Sequence, residues 1–432
     1  MGIPDRLPAV PWREMAAVFG RIGVLSFGGP AAQIALMHRE LVEERRWLSE
    51  PQFGGALSFC MLLPGPEAMQ LATYAGWRLR GVPGGLMAGL LFVLPGAALI
   101  FALTAVYVAY GDVPWVEAAF LGIKAAVVVI VIDALRKIAR RALTTPGHWA
   151  VASTAFAAIF LFDVPFPVIV AGAALYGWLT ATGTAATAPV PERPRTFLTV
   201  AVWGAVWLLP LLALRLFGPE RLWEIGAFFA KLAVVTFGGA YAVLAWMAQE
   251  AVETKGWLTA EQMVDALGLA ETTPGPLILV TQFVGTLAAL PGGPWMALAA
   301  GLVTLHVTFA PCFLWIFAGA PWLETITARP RPAAALGAVT AAVVGVILDL
   351  SMWFAAHVFF DRQEVAATGP IRILLPSEPD LIAMVLAALS ALALFALRWP
   401  LAAVLGAAAL GSMILNDGGA VAAALSHPAN LP

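Results

Sequence analysis

Two cations are the first residues in this sequence whose type and position could do chemistry. Arg21 and Lys231 each lie inside an apolar segment, six residues before a Phe-Gly-Gly triplet at Phe27–Gly29 and Phe237–Gly239. A charge inside such a segment is costly and usually faces a partner or a polar pathway. The pair is therefore predicted to counter an anionic substrate, although each side chain could instead extend its charged end to a membrane interface.

Each half of the chain also carries a helix-breaking Pro-Gly-Pro, at Pro64–Pro66 and Pro274–Pro276. Glycine lets the backbone approach a ligand closely, and proline suits the first turn of a new helix. The N-terminus of a helix carries roughly +0.5 of an elementary charge and free N–H groups, so it favours anions. With the two Phe-Gly-Gly triplets, these breaks predict an anion site, against the alternative of simple kinks or tight contact points.

Polar side chains gather at the same breaks, among them Gln33 and Gln282. Lys124 is a further candidate cation, with an interfacial lysine as the alternative. The predicted substrate-binding residues are Arg21, Lys231, Ser26, Gly28, Gly29, Thr236, Gly238, Gly239, Gly65, Pro66, Gly275, Pro276, Lys124, Gln70, Thr272 and Thr273.

Four carboxyl groups in apolar segments are predicted to couple transport to protons or to form ion pairs: Glu67, Glu271, Asp133 and Asp349. For Glu67 a coupling role, an ion pair with Arg21 and a helix-capping role all stay open. Glu40 and Glu250 lie on polar stretches and are expected to be exposed. His38 and His306 are isolated, and neither a Walker loop nor a GxGxxG after a strand occurs, so no metal and no cofactor are expected.

The composition determines what must position these residues. Of 432 residues, 61% are apolar and 12% charged, and the mean hydropathy is +0.87. Apolar runs at Leu86–Tyr110, Val116–Leu135 and Phe197–Phe217 each have about the twenty residues that a spanning helix needs. The chain is predicted to be an all-α polytopic membrane protein. Its net charge of −2 argues against a nucleic-acid partner, and Cys60 and Cys312 are expected to be buried, unpaired thiols.

An internal repeat organises the chain. "FGRIGVLSFGGPAAQ" (19–33) recurs as "FAKLAVVTFGGAYAV" (229–243), and the constant shift of 210 continues to both Pro-Gly-Pro breaks. We therefore predict two homologous repeats with broken helices and re-entrant hairpins. The predicted boundaries are 1–185 for the first repeat, 186–218 for a linker and connecting helix, and 219–432 for the second repeat.

The distribution of positive charge favours inverted topology. The arginines and lysines of the first half share one side of the membrane if residues 49–80 enter and return, and 84–110 and 116–135 then cross. Helices near 147–162 and 165–181 return the chain to that side. The extra helix, Phe197–Phe217, then starts the second half from the opposite side, so that Arg329, Arg331 and Arg398 also become cytoplasmic.

The motifs resemble the chromate ion transporter family. The resemblance rests on "SFGGPAAQIALMHRELVEERRWLSEPQF" with "FCMLLPGPEAMQLATYAGW", and on "TFGGAYAVLAWM" with "ETTPGPLILVTQFVG". It covers nearly the whole chain, as the long two-domain form. It implies export of chromate from the cytoplasm and chromate resistance, with sulfate as a similar oxyanion, and location in the bacterial plasma (inner) membrane.

Two other classes of protein are compatible with the sequence. One is a transporter of sulfate or another anion through the same kind of site; the other is a membrane enzyme or a scaffold without transport. Clustered nucleophiles, bases or metal ligands would indicate an enzyme, and the sequence shows no such cluster. The expected partners are chromate, sulfate, the lipid bilayer and a second copy of the chain.

Overall fold

The computed structural model describes residues 10–111, 113–182, 196–237, 240–323, 329–368 and 371–426. Within them the chain forms sixteen α-helices and one β-hairpin. The expected all-α fold with two repeats is confirmed, and the hairpin is an addition that the sequence did not predict. Cys60 and Cys312 are buried and unpaired, as expected.

The first repeat contains seven helices. They are α1 (Trp12–Leu25), α2 (Gly29–His38), α3 (Glu50–Leu62), α4 (Glu67–Tyr110), α5 (Pro114–Ala142), α6 (Pro146–Phe162) and α7 (Phe166–Thr180). A π-helical turn, Arg39–Glu44, extends α2.

The connecting helix α8 (Thr196–Phe217) leads to the second repeat. Its helices are α9 (Glu220–Val235), α10 (Ala240–Ala248), α11 (Ala260–Thr272), α12 (Val280–Ala288), α13 (Pro294–Gly319), α14 (Pro330–Phe359), α15 (Leu381–Ala391) and α16 (Leu401–Ser426). The π-helical turn Gln249–Thr254 follows α10, just as its counterpart follows α2. Three-residue 3₁₀ turns occupy Leu277–Leu279, Leu290–Gly292 and Ala320–Trp322, and a third π-helical turn spans Leu392–Ala396.

Local sequence explains why the hairpin helices α3 and α11 begin where they do. Ser49 accepts a hydrogen bond from the backbone N–H of Gln52, whose side chain bonds back to the Ser49 N–H. Thr259 and Gln262 form the same capping box at the repeat-related position. Because each box satisfies two otherwise unpaired N–H groups, both hairpins start at a defined residue.

Helix α4 contains a chain reversal just after the first hairpin. Arg80 and Gly81 have non-helical backbone angles, and Gly81 has φ +63°. A Cβ on Gly76 would lie 2.3 Å from the Gly84 carbonyl oxygen, so the parts of α4 before and after the reversal are in backbone contact. Only glycine permits this approach. The chain therefore reverses near residue 80, where the sequence predicted the return, and then continues as a long apolar helix.

Five described helical segments are long and apolar enough to cross a membrane: Glu67–Tyr110, Pro114–Ala142, Thr196–Phe217, Pro294–Trp322 and Pro330–Phe359. They contain the three runs that the sequence predicted. The pairs α6 with α7 and α15 with α16 are shorter apolar helices. The expected helices near 147–162 and 165–181 are therefore present as α6 and α7.

The long helices of the two repeats interlock. α5 packs against α15 and α16 of the other repeat, while α14 packs against α6 and α7. Glycines allow these close contacts: a Cβ on Gly122 would lie 2.1 Å from the Ala408 carbonyl oxygen, and one on Gly345 would lie 2.2 Å from that of Ala152. Small residues at such crossings let helix backbones approach each other in a membrane. The repeats thus share one core.

The unpredicted hairpin joins α14 to α15. Strands β1 (Phe360–Thr368) and β2 (Ile371–Pro379) pair antiparallel, with Phe360 opposite Pro379. This pairing satisfies backbone N–H and C=O groups in a segment too polar for the apolar core. The sequence reading missed it because helical periodicity dominates both flanks.

Candidate anion site at the broken helices

The breaks of one repeat bond to the breaks of the other. The Gly65 N–H, at the first Pro-Gly-Pro tip, donates to the Thr236 carbonyl oxygen at 2.7 Å. Reciprocally, the Gly275 N–H donates to the Ser26 carbonyl oxygen at 2.9 Å. A reciprocal pair of contacts is the signature of an approximate twofold axis. The four breaks predicted from the sequence therefore meet around that axis.

The glycines at these breaks adopt conformations that other residues rarely take. Gly28 and Gly29 have φ of +86° and +75°, and Gly65 and Gly275 have φ of +116° and +94°. These values lie in the region where a Cβ clashes with the backbone. The predicted residues Gly238 and Gly239 lie outside the described residues.

Each Pro-Gly-Pro tip is seated on a long helix of the other repeat. A Cβ on Gly96 of α4 would lie 2.2 Å from the Pro274 carbonyl oxygen, so a side chain there would displace the second tip. A Cβ on Gly65 would lie 3.0 Å from the sulfur of Cys312 on α13. Gly96 and Cys312 each follow an intrahelical proline, Pro95 or Pro311, in the two repeats. The seats are therefore repeat-related.

Two buried glutamines of the first repeat tie these crossings together. Gln33 Nε2 donates to the carbonyl oxygens of Gly275 (2.7 Å) and Ser26 (3.2 Å). Gln70 Nε2 donates to the Pro64 carbonyl oxygen at 2.7 Å. Since carbonyl oxygens can only accept, each amide orientation is determined. The second repeat has Val243 and Val280 at these positions, so the two crossings are not chemically identical.

The hydroxyl groups at the breaks bond to their own helices. Ser26 and Thr236 donate to Ile22 and Leu232 at 2.6 Å each. Thr272 and Thr273 donate to Leu269 and Ala270 in the same way. Their protons are thus engaged in this conformation. The helix starts at α2 and α4 have no side-chain cap from their N-cap residues, Gly28 and Pro66.

The two candidate cations differ in their surroundings. Arg21 Nη1 lies 3.4 Å from Glu40 Oε1, and its side chain is 53% exposed. Lys231 is exposed and forms no ion pair within the described part of the chain. Among the described residues, Arg21 forms its ion pair with Glu40 and not with Glu67.

The expectation that Glu40 is exposed is wrong. Its carboxylate has no exposed surface and contacts two guanidinium groups, those of Arg21 and Arg45. A buried carboxylate is tolerated when opposite charges surround it in this way. Glu250, the repeat-related residue, is half-buried.

The polar turn after α2 is held at a second point by His38. Its ring nitrogens lie 2.8 Å from Glu50 and 3.1 Å from Glu43. The hydrogen bond with Glu50 raises the pKa of His38 above its ordinary value, which outweighs the opposing effect of burial. The turn that carries Glu40 is thus anchored to the start of α3.

Lys124 lies in an ion-pair cluster between the repeats. Its Nζ is 3.0 Å from both Glu261 Oε1 and Asp265 Oδ1, and Tyr107 Oη donates to Asp265 Oδ2 at 2.8 Å. Two carboxylates therefore offset the lysine charge in this conformation. The sequence reading missed Asp265; an aspartate within the otherwise apolar run 263–270 was the available signal.

The four predicted coupling carboxyls occupy different environments. Glu271 is buried beside the second tip and accepts a 2.6 Å hydrogen bond from Tyr241. Glu67 begins α4 and is half-buried. Asp133 pairs with Lys137 at 2.5 Å and Arg136 at 3.5 Å.

Asp349 lines a cavity of about 470 Å³ between α6, α10 and α14. Asp163 and Glu253 also line this cavity. Asp349 therefore stands apart from the crossing of the breaks, in company with two other acidic side chains.

These features define a class: a polytopic membrane protein of two repeats whose broken helices meet at a shared site. The family model described as Chromate transporter matches residues 13–178 and 223–412. The chain belongs to this family, whose members are transport proteins and not enzymes.

Three curated relatives support the assignment. The chromate transport protein of Pseudomonas aeruginosa is 36% identical over 347 residues, covering 79% of this chain and 80% of the relative. The chromate transport protein of Cupriavidus metallidurans is 30% identical over 348 residues, covering 79% and 82%. The probable chromate transport protein of Synechococcus elongatus is 31% identical over 345 residues, covering 79% and 84%. No solved structure matches the chain.

Proposed function

We propose that this protein exports chromate from the cytoplasm across the bacterial inner membrane and thereby confers resistance to chromate. The support comes from the names of its relatives and from one structural observation. That observation is the reciprocal bonding of Gly65 to Thr236 and of Gly275 to Ser26, which gathers four helix breaks at one place.

The proposed site suits a tetrahedral dianion. Helix N-termini supply partial positive charge and N–H donors, and Arg21 and Lys231 supply full charges. The glycines and prolines of the breaks bring backbone within reach, with Gln70, Lys124, Ser26, Thr236, Thr272 and Thr273 as the surrounding polar groups. Lys124 would join the site only in a conformation that releases it from Asp265 and Glu261.

Export is the favourable direction for this substrate. A negative cell interior expels each negative charge with about 2.3 kcal/mol per 100 mV, or about 4.6 kcal/mol for a dianion. No ATP is then required, in agreement with the lack of a Walker loop in the sequence.

Alternating access by two inverted repeats would move the site between the two sides. The proposed repeats span 1–185 and 219–432, with 186–218 as the connection. The family matches at 13–178 and 223–412 fall inside these limits, and the reciprocal contacts support a twofold relation. The single connecting helix, α8, would cross the membrane once and so place the second repeat in the opposite orientation to the first.

Glu271 is our leading candidate for proton coupling. Its carboxyl group is buried next to the second tip with Tyr241 as its hydrogen-bond donor. Burial without an opposite charge favours the neutral form, so an approaching oxyanion and a proton would affect each other's binding. Glu67, Asp133 and Asp349 are the alternatives.

Transport by the purified protein in proteoliposomes tests the function. We expect chromate to move toward the positive side under an imposed potential, and faster than sulfate. A pH gradient applied without a potential measures any proton coupling. Equal or faster movement of sulfate would replace chromate by sulfate as the substrate, and no anion flux under either gradient would contradict the proposal.

A further inference from the structure

A four-residue pattern occurs once in each repeat, at the constant shift of 210. Its members are a cation before the Phe-Gly-Gly break, a glutamate, a second cation and a tryptophan: Arg21, Glu40, Arg45 and Trp47, repeated as Lys231, Glu250, Lys255 and Trp257. Both glutamates lie on π-helical turns that extend the helix after the break. Because repeat-related residues lie on repeat-related turns, the same ion pairs are expected in both repeats.

The first copy of the pattern is closed. Glu40 is fully buried and contacts Arg21 and Arg45 together. The Arg45 guanidinium lies 6.0 Å from the Trp47 ring. The charge of Arg21 is thus held by a carboxylate before any substrate arrives.

The second copy is open. Lys255 lies 5.1 Å from the Trp257 ring, so the local geometry is the same. Among the described residues, however, Lys231, Glu250 and Lys255 form no ion pair with one another. Lys231 is exposed, and Gln249, next to Glu250, instead donates a hydrogen bond to Asp163 of the other repeat.

From this broken symmetry we infer that Glu40 and Glu250 are positioning residues that hold and release the two substrate cations in turn. In the conformation described here Glu40 holds Arg21 and leaves Lys231 available. In the opposite conformation Glu250 holds Lys231 and leaves Arg21 available. The inference rests on the proposed transport of an anion by these cations.

The chemistry gives each glutamate a direct part in the transport cycle. A carboxylate and an oxyanion are both bound by a guanidinium or ammonium group through charge-assisted hydrogen bonds. They therefore compete for the same cation. When a glutamate closes on its cation it displaces the substrate, so the carboxylate promotes release on the side where its own repeat closes.

Neutral variants separate this role from a structural one. In Glu250→Gln, Lys231 stays free in both conformations; in Glu40→Gln, Arg21 does. We expect a KM for chromate lowered about threefold to tenfold and a maximal rate lowered about tenfold, since the coupling of neighbouring charges is typically worth such factors. Glu250→Asp, which keeps the competing charge, should restore much of the rate. Chromate binding to the purified protein should tighten in parallel with KM.

Repeat-related glutamates on the same two turns provide matched controls. Glu43 contacts His38, and Glu253 lines the cavity beside Asp349; no described ion pair joins either glutamate to Arg21 or Lys231. Glu43→Gln and Glu253→Gln should leave both KM and maximal rate within about twofold of wild type, as expected for exposed charges.

The outcome distinguishes this inference from the proposed function. If the unaltered protein transports chromate but Glu250→Gln has an unchanged or raised KM, the exchange of cations is wrong. If the unaltered protein transports no anion, the proposed function itself fails. Glu250 is half-buried, so its variant gives a result even where Glu40→Gln fails to fold.

Discussion

At the scale of single residues, buried charges connect parts of the chain that lie far apart in sequence. Lys124 and Asp265 are 141 positions apart, and their side chains are 10% and 6% exposed. Each charge is tolerated because the other is present. The sequence indicated a cation at Lys124 but did not identify its partner, since α5 and α11 could each face many neighbours.

Breaking this pair should destabilise the protein. Asp265→Leu leaves Lys124 buried with only the exposed Glu261, so we expect a loss of about 3 kcal/mol, near the lower end for broken buried pairs. The thermal unfolding midpoint in detergent measures the change. Lys124→Met combined with Asp265→Leu should recover most of it, because no buried charge is then left unpaired.

The exposed member of the cluster is the control for this prediction. Glu261 has a side chain that is 67% exposed, and Glu261→Gln should change the stability by less than about 1 kcal/mol. A double variant that is less stable than Asp265→Leu alone would contradict the assigned pairing.

At the scale of elements, the breaks depend on glycines whose backbone no other residue adopts easily. The positions of the breaks and the starts of α3 and α11 follow from local sequence: Pro-Gly-Pro ends a helix, and the capping boxes begin one. The hydrogen-bond partners of the Pro-Gly-Pro tips do not follow from local sequence, because the N–H group at a tip could bond to any nearby carbonyl oxygen. The contact of Gly65 with Thr236 needed the tertiary structure.

Gly275→Ala and Gly65→Ala should each cost about 1–3 kcal/mol and strongly reduce transport, because positive φ strains alanine and shifts the bonded N–H group. At Gly65 the added Cβ also meets Cys312 at 3.0 Å. Because the added Cβ also lies 2.8 Å from Gln70 Nε2, Cys312→Gly combined with Gly65→Ala should recover only part of the steric loss and none of the backbone strain. Proteoliposome flux and unfolding midpoints provide the two measurements.

A helical glycine with open space beside it provides the control for the Gly65 and Gly275 substitutions. Gly54 lies in α3 with no atom within 4 Å of an added Cβ. Gly54→Ala should be neutral or stabilising by up to about 1 kcal/mol. Full transport by Gly275→Ala would show that the crossing of the breaks is dispensable.

At the scale of the whole molecule, the two repeats form one interlocked body. α5 packs on α15 and α16, and α14 packs on α6 and α7, so neither repeat completes its own core. Positive charges suggested inverted topology, while the exchange of helices between repeats appears only in three dimensions. Gly122 and Gly345 permit that exchange through close backbone contact.

Inverted topology predicts that repeat-related surface residues face opposite sides of the membrane. Glu44 and Thr254 are both exposed and are related by the shift of 210. Single cysteines at these positions, with Cys60 and Cys312 changed to Ala, should react with a membrane-impermeant maleimide from opposite sides of oriented vesicles. The background without added cysteine should not react. Labelling of both from the same side would establish parallel repeats instead.

The amino-acid sequence by itself determined the membrane class, the repeat, the helix breaks and the cations next to them. These depend on composition, on local backbone preferences and on a register that can be read along the chain. The tertiary structure alone decided the burial of Glu40 between Arg21 and Arg45, the partner of Lys124, and the bond of Gln33 to Gly275 across 242 positions. Such pairings are set by how apolar helices pack, and many arrangements satisfy the same pattern until the folded chain selects one.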